Sequence, residues 1–243
     1  MSDRITRQDL WARKLLRERN LHVRPYRPQD RPAIEAIVLS TGLRGRPASD
    51  FFEDDDVVLR LFVEYYLDCE PDVCEVAEID GRLCGYMLCC TDTRRYDRYV
   101  ARMAPALLWR VLTRILGFRY RRRQTYRSMW WLISRGWREL PPVDLNTYPA
   151  HVHVGIDIEA LGASSPFAWW PVWMRILERV EVTLKSRGCQ GVHGHVAEPT
   201  GQHAITRRIR GYDWWVLEQR PFSLFARITG GQWVIRAIGK DLS

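Results

Sequence analysis

The spacing of apolar positions changes repeatedly along the chain, and each change marks the boundary of a predicted element. Residues 4–19 carry apolar side chains on one side of a helix, and residues 21–26 indicate a short strand. Asp30 and Ser49 are suitable N-cap residues for two further helices. The apolar stripes of these two helices are Ile34, Ile37 and Val38, then Val57, Val58, Leu61, Phe62 and Tyr65.

The second half of the pattern alternates strands with helices. Asp80-Gly81 is a strong hairpin signal between two apolar strands. The predicted strands are 21–26, 74–79, 83–90, 151–157, 191–196, 214–218 and 233–238, and the helices between the last five include 172–184 and 202–210. Strands that alternate with helices favour an α/β (α+β) fold in which a mixed sheet of about seven strands has helices on both faces.

Composition narrows the class of protein. The chain has 243 residues, 46% hydrophobic and 27% charged, which is typical of a globular protein and excludes a low-complexity chain. No apolar run reaches the roughly 20 residues of a membrane-spanning helix, and the charged N-terminus is not a secretory signal. The six cysteines lack paired CxxC spacing, so we expect thiols in a reducing cytoplasm rather than a zinc ribbon.

One segment accounts for the positive charge of the chain. Residues 94–138 contain 13 arginines and one acid, Asp97, so the segment carries +12, whereas the whole chain carries +8. Nine aromatic residues are interleaved with these arginines. The opposite charge is concentrated at residues 49–70, where eight acids accompany Arg60.

Two interpretations of the basic segment stay open. It could be a helical cap that packs on the sheet through residues 108–116 while its arginines pair with the acids of 49–70. It could also bind an anionic ligand, such as CoA phosphates, an anionic substrate or a membrane surface. Sequence-specific nucleic-acid binding is not expected, because the chain has no recognition motif.

Two short motifs connect this pattern to a known family. Residues 148–153 read Tyr-Pro-Ala-His-Val-His, and residues 188–193 read Gly-Cys-Gln-Gly-Val-His after the long helix. Together with the element order from residue 21 to about 242, they resemble the GNAT superfamily of acyl-CoA-dependent acyltransferases. The closest resemblance is to the subgroup related to the acetyltransferase-like domain found with O-GlcNAcase. It implies a single GNAT-like domain over 1–243, with 94–147 as a basic helical insertion.

The histidines are the strongest chemical signal. His151 and His153 share one face of a predicted strand, and His193 and His195 share one face of the next. In the GNAT fold these strands are parallel neighbours beside the thioester, so the resemblance implies that the four imidazoles line one cleft. Such imidazoles can take the proton that an amine must lose before it attacks. The alternatives are packed, hydrogen-bonded histidines or a metal site, and we expect no metal.

The resemblance also implies where acyl-CoA binds. Backbone groups near Ile156 and Ile158 would hold the pantetheine and polarise the acyl carbonyl. The glycine-rich pyrophosphate turn of the family is degenerate here, and Gly162, Ala163, Ser164 and Ser165 stand in its place. The next helix starts either at Pro166, with a kink at Pro171, or at Pro171 itself. The tyrosine that usually protonates the leaving thiolate is also absent, because its position falls on Thr206 or Arg207.

These features predict an enzyme that transfers an acetyl or other acyl group from acyl-CoA to an amine. The acceptor would be a small molecule or a peptide, and the cosubstrate acetyl-CoA or another acyl-CoA. The alternative is a catalytically inactive GNAT-like module that binds a partner or an anionic ligand through its Arg/Trp-rich insertion. Binding of CoA separates the two hypotheses, because only the first requires it.

Overall fold

The structure, a computed structural model, describes residues 20–42, 45–161 and 169–242. Its seven strands form one sheet in the order β1-β2-β3-β4-β5-β7-β6. Neighbours β1, β2 and β3 pair antiparallel, as do β5, β7 and β6, whereas β4 and β5 are parallel. The predicted mixed sheet of seven strands is thus confirmed. The strands are β1 His22–Pro25, β2 Glu75–Ile79, β3 Arg82–Cys90, β4 Ala150–Ile156, β5 Gly191–Pro199, β6 Trp215–Pro221 and β7 Trp233–Asp241.

Helices connect the strands. Within the described residues the α-helices are α1 Arg31–Thr41, α2 Asp55–Leu59, α3 Tyr65–Cys69, α4 Thr93–Leu116, α5 Arg123–Trp131, α6 Trp137–Glu139, α7 Trp169–Ser186, α8 Ala204–Ile209 and α9 Ser223–Thr229. Two π-helical segments join consecutive helices, Arg60–Glu64 between α2 and α3 and Leu132–Gly136 between α5 and α6. None of the helices in this part of the chain has the length and apolar character needed to cross a bilayer.

Several predicted boundaries need correction. Ser49 does not cap a helix, because Ala48–Asp50 forms a short 3-10 turn and α2 begins only at Asp55. Helices α5 and α9 were not predicted, since each is short and follows a stretch without clear apolar spacing. The helix predicted over residues 4–19 lies outside the described residues.

The described chain divides into two compact units. The first contains the residues up to Ala48, Val58–Thr91 and Val152–Gly188, and the second contains Ser49–Val57, Asp92–His151 and the residues from Cys189 onward. Strand β4 belongs to both, with its first two residues in the second unit. The organisation of 1–243 as a single domain with an insertion at 94–147 stays a prediction.

In the first unit, apolar faces of α1 and α7 supply the core. Ile34, Ile37 and Val38 of α1 are buried, as the sequence predicted. The hairpin between β2 and β3 turns at Asp80 and Gly81, with φ of 52° and 79°. Positive φ at both positions is what a two-residue turn of type I′ requires, and glycine adopts it without a Cβ penalty.

All six cysteines lie in the described residues, and none forms a disulfide. Cys74, Cys84, Cys89 and Cys90 are buried, whereas Cys69 and Cys189 are half-buried. Burial raises the pKa of Cys74 to about 12 and the pKa of Cys89 well above its usual range. Cys74 and Cys89 therefore keep their protons at neutral pH.

The second unit is organised around a buried carboxylate, Asp54. Its oxygens accept hydrogen bonds from Arg110 at 3.0 Å and from Tyr120 at 2.8 Å, and Arg114 lies 3.0 Å away. Burial alone would raise the pKa of Asp54, but the hydrogen bonds from Arg110 and Tyr120 lower it below its usual range. The arginines of the basic segment thus pair with the acids before α2, as one of the two interpretations predicted.

This pairing determines which face of α4 is buried. Leu107 is buried, and Arg110 and Arg114 lie on the same helical face toward Asp54. The leucines at 108, 112 and 116 lie on a neighbouring face and are 65%, 45% and 68% exposed. The expectation that residues 108–116 pack as an apolar cap is therefore wrong for these leucines.

Replacing Asp54 with Asn should lower the free energy of unfolding by about 3 kcal/mol, because it removes the buried charge to which Arg110, Arg114 and Tyr120 all bind. Urea unfolding measures this. The matched control is Asp56→Asn, which removes a partner of the same Arg110 whose side chain is 45% exposed. The control should cost at most about 1 kcal/mol. Equal losses in the two variants would contradict the central role of Asp54.

Candidate active site

Three of the four predicted histidines lie together in the second unit. The parallel register of β4 and β5 pairs Ala150 with Val192 and His151 with His193. The ring centroids of His151 and His193 are 5.7 Å apart, and those of His193 and His195 are 6.0 Å apart. Four imidazoles were expected to line one cleft, and these three lie together; their catalytic role stays a prediction.

Hydrogen bonds fix the orientation of these three rings. Nδ1 of His193 lies 2.9 Å from the carbonyl oxygen of Tyr148, and Nε2 of His195 lies 3.1 Å from that of Pro141. A carbonyl only accepts, so each of these nitrogens carries a proton. Thr93 Oγ1 donates to Pro149 O and therefore accepts from Nδ1 of His151, 2.9 Å away.

Burial controls the charge of His193. Its side chain is 4% exposed, and burial, helped by nearby His195, lowers its pKa to about 4. The ring is consequently neutral at physiological pH. A neutral ring held by a backbone carbonyl suits the packed, hydrogen-bonded alternative as well as a catalytic one.

His153 lies in the first unit and has a different environment. The ring of Phe62 is stacked on it with centroids 5.4 Å apart, and the ring of Tyr86 lies 5.9 Å away. Its Nδ1 is buried and has no hydrogen-bond partner in the described part of the chain. Burial lowers the pKa of His153 to about 4, so this imidazole is also neutral at physiological pH. Among the described histidines it is the one with a buried ring nitrogen that has no hydrogen-bond partner.

Two aromatic residues at this position were missed by sequence reasoning as site residues. Phe62 was placed in the apolar stripe of a helix, yet its side chain is 38% exposed and lies in the π-helical segment Arg60–Glu64. Such segments occur frequently at functional sites. Tyr86 approaches β4 so closely that a Cβ on Gly155 would lie 2.5 Å from its hydroxyl oxygen. The glycine in the His-x-His-x-Gly sequence was the available signal.

The rest of β4 offers backbone groups near His153. The register with β5 covers Ala150 and His151 and does not extend to Val152–Ile156. Ile156 is half-buried, and Ile158 is 40% exposed just after the strand. Gly162, Ala163, Ser164 and Ser165, the predicted pyrophosphate turn, lie outside the described residues.

The long helix α7 begins by Trp169, so Pro171 is its third described residue and not its start. A proline in the first turn is tolerated, because those N–H groups have no partner within the helix. Trp170 and Trp173 pack edge to face with centroids 5.1 Å apart. Thr206 is one of the two positions at which the family pattern would place the tyrosine that protonates the thiolate. Its side chain is buried, and its hydroxyl donates to Glu198 at 3.2 Å.

In the described ranges no group of three or more His, Cys, Asp or Glu side chains is arranged to hold a metal ion.

Acid should destabilise the protein through His193. Its pKa is about 4 in the folded chain and about 6.5 in the unfolded chain, so its contribution is fully present above pH 6.5 and is lost as the pH falls toward 4. His193→Gln should remove about one of the protons taken up on unfolding near pH 5. Urea unfolding midpoints between pH 4.5 and 7.5 measure how stability changes with pH. Parallel curves for variant and wild type would contradict the neutral, buried ring.

Comparison with known proteins supports the fold. No protein-family model matches the chain. The crystal structure of SsHAT is 25% identical, with a TM-score of 0.59 over 92% of this chain and 98% of that chain. An N-acetyltransferase from Staphylococcus aureus Mu50 is 12% identical, with a TM-score of 0.51 over 92% and 99%.

A third similar structure is the polyamine N-acetyltransferase of Drosophila melanogaster, an enzyme that forms N-acetylagmatine. It is 13% identical, with a TM-score of 0.52 over 91% of this chain and 99% of that chain. The seven-stranded mixed sheet with its helices therefore matches the GNAT fold of these structural neighbours.

Proposed function

We propose that the protein is an acyl-CoA-dependent N-acyltransferase that uses acetyl-CoA or another acyl-CoA to acylate an amine. The observation that carries this proposal is His153, a neutral imidazole on the part of β4 that lies beyond the register with β5. The GNAT fold supports the same reaction. The Tyr-Pro-Ala-His motif at 148–151 favours the subgroup that resembles the O-GlcNAcase-associated domain.

The proposed reaction needs one base. An aliphatic amine is protonated at neutral pH and cannot attack until it loses a proton. Neutral His153 takes that proton, the amine nitrogen attacks the thioester carbonyl and releases its second proton to solvent, and the carbon–sulfur bond breaks. The products are the amide and CoA. Since Nδ1 of His153 is buried, we assign the proton transfer to Nε2.

The other histidines are assigned a supporting role. His151, His193 and His195 each use a ring nitrogen in a hydrogen bond to Thr93 or to a backbone carbonyl, which fixes the position of each ring. Backbone groups near Ile156 and Ile158 would hold the pantetheine and polarise the acyl carbonyl. Small residues at 162–165 would leave backbone N–H groups open to the pyrophosphate.

Departure of CoA needs no tyrosine in this scheme. A thiol has a pKa of about 8.5, so its thiolate is a good leaving group at neutral pH. Thr206, which occupies the position of the usual acid, is engaged by Glu198 and is not assigned to that role. The thiolate would take its proton from solvent.

His153→Ala should lower acyl transfer by about 100-fold at pH 6.5 and by much less at pH 9, because at high pH more of the amine has already lost its proton. Release of CoA from acetyl-CoA, measured with agmatine, spermidine and a lysine peptide as acceptors, gives the rates. The control is His22→Ala, which removes an exposed imidazole from β1 and should leave the rate unchanged.

Calorimetry with acetyl-CoA completes this test. Wild type and His153→Ala should bind acetyl-CoA alike, because His153 acts on the amine. An equal loss of rate at both pH values would assign His153 to packing. Absence of acetyl-CoA binding to wild type would contradict the acyltransferase proposal itself.

The alternative function, a binding module acting through the insertion, has an observation of its own. Most of the large apolar side chains that are exposed in the described chain lie between residues 108 and 140, and Trp109, Trp130 and Trp137 are 66–68% exposed. Eight exposed arginines of the basic segment, residues 94–138, form no ion pair with the described residues. They are Arg95, Arg102, Arg119, Arg121, Arg123, Arg127, Arg135 and Arg138. Tryptophan beside arginine favours the surface of an anionic membrane.

Sedimentation with liposomes tests this alternative. Wild type should bind vesicles of phosphatidylcholine with 30% phosphatidylserine and should not bind phosphatidylcholine alone, because arginine is attracted to anionic headgroups. Trp109→Ser/Trp130→Ser should weaken binding, whereas Trp215→Ser, an exposed tryptophan on β6, should not. Equal binding to both kinds of vesicle would contradict it.

A further inference from the structure

The second unit contains a pocket to which the proposed acyl transfer assigns no role. Its volume is about 360 Å³, and α8, β6 and β7 contribute its walls. Ligand pockets in proteins usually measure roughly 300–1,000 Å³, so this one is large enough for a small molecule. The lining residues are His203, Thr206, Arg207, Arg210, Val216, Gln219 and Arg236. Three of the seven are arginines, and none is acidic.

The deepest cation is held rigidly. Arg236 is 3% exposed, its Nη1 donates to Glu198 at 2.7 Å, and its Nε donates to Gln219 at 3.2 Å. Its Nη2 has no hydrogen-bond acceptor in the described part of the chain. A buried guanidinium that lines a pocket and keeps one nitrogen unused is a site prepared for an acceptor.

Among the described residues, one carboxylate is bonded to Arg236, and its oxygens already accept other hydrogen bonds. Glu198 is 1% exposed and also accepts hydrogen bonds from the backbone N–H of Ile205 and from Thr206, both on α8. It balances the charge of Arg236 and fixes the start of α8. It therefore contributes no charge to balance the other two arginines.

Arg207 and Arg210 are the uncompensated pair. They are three residues apart on and just after α8, so they lie on the same side, and both are exposed. Neither forms an ion pair with any described residue. Two like charges at this spacing repel each other, and an anion between them would remove that repulsion.

We propose that this pocket binds the phosphate group of a small phosphorylated molecule. A dianion matches the charges of Arg207 and Arg210, and guanidinium groups bind phosphate through paired hydrogen bonds. The amide nitrogen of Gln219 adds a donor, because its oxygen already accepts from Arg236. Val216 provides an apolar contact for the organic part of the ligand.

Calorimetry with inorganic phosphate and phenyl phosphate at constant ionic strength tests the proposal. Wild type should bind both saturably, and Arg207→Gln/Arg210→Gln should bind at least about tenfold more weakly, because hydrogen bonds to charged groups are strong. The matched control is Arg175→Gln/Arg227→Gln, which removes the same charge from exposed positions outside the pocket and the basic segment. The control should keep wild-type affinity.

Two outcomes would overturn the site. One is absence of saturable binding to wild type. The other is equal weakening in the control, which would assign the effect to overall charge. Gln219→Ala provides a second test within the pocket, since it removes a donor without changing charge, and it should weaken phosphate binding with the fold preserved by circular dichroism.

The phosphate could belong to a separate metabolite or to CoA, which carries a phosphate monoester. Titration of acetyl-CoA into the Arg207→Gln/Arg210→Gln variant separates these sources. Unchanged acetyl-CoA affinity together with weakened phenyl phosphate binding assigns the pocket to a separate ligand, and loss of both assigns it to CoA. An unchanged rate of acyl transfer in His153→Ala would contradict the proposed base and would leave either assignment of the pocket intact.

Discussion

The backbone of β4 imposes the constraint on which the proposed chemistry depends. Every peptide N–H and C=O needs a hydrogen-bond partner, and in a sheet the partner is normally the next strand. The register of β4 with β5 pairs Ala150 and His151 and does not include Val152–Ile156. In the proposed function, backbone groups at the end of this stretch hold the pantetheine amides. His153 lies within the same stretch, so the proposed base and the proposed cofactor contacts come from one strand.

Burial leaves His153 and His193 in the same neutral state, and hydrogen bonding gives the two rings different surroundings. Burial lowers the pKa of both His153 and His193 to about 4, so neither ring is charged at neutral pH. Nδ1–H of His193 donates a hydrogen bond to a backbone carbonyl. His153 has no such bond and is covered instead by the rings of Phe62 and Tyr86. The sequence places the four histidines in equivalent pairs, but their surroundings differ.

Much of the fold follows from local spacing, because the strands and the longer helices each bury a continuous face. The positions of the seven strands along the chain, the hairpin at Asp80-Gly81 and the buried stripe of α1 could all be predicted in this way. The rotation of α4 could not, because Asp54, distant in sequence, selects the face with Arg110 over the face with the leucines. A long-range ion pair has no signature in the helical spacing.

The same limit applies to the sites. The His-x-His spacing identifies His153, whereas Phe62 comes from a distant helix and was counted only as core. The phosphate pocket could not be predicted at all. Its residues come from α8 and from two strands that follow it, and Arg207 and Arg236 become neighbours of one cavity only when the sheet forms.

The unequal burial of the cysteines has a practical consequence. Four of the six thiols are inside the protein, and only Cys69 and Cys189 are partly open to reagents. Cys69 belongs to the first compact unit and Cys189 to the second. A maleimide dye or a nitroxide spin label should therefore attach once to each unit of the unaltered protein. A donor–acceptor pair at these two positions would report the distance between the units while ligands are added.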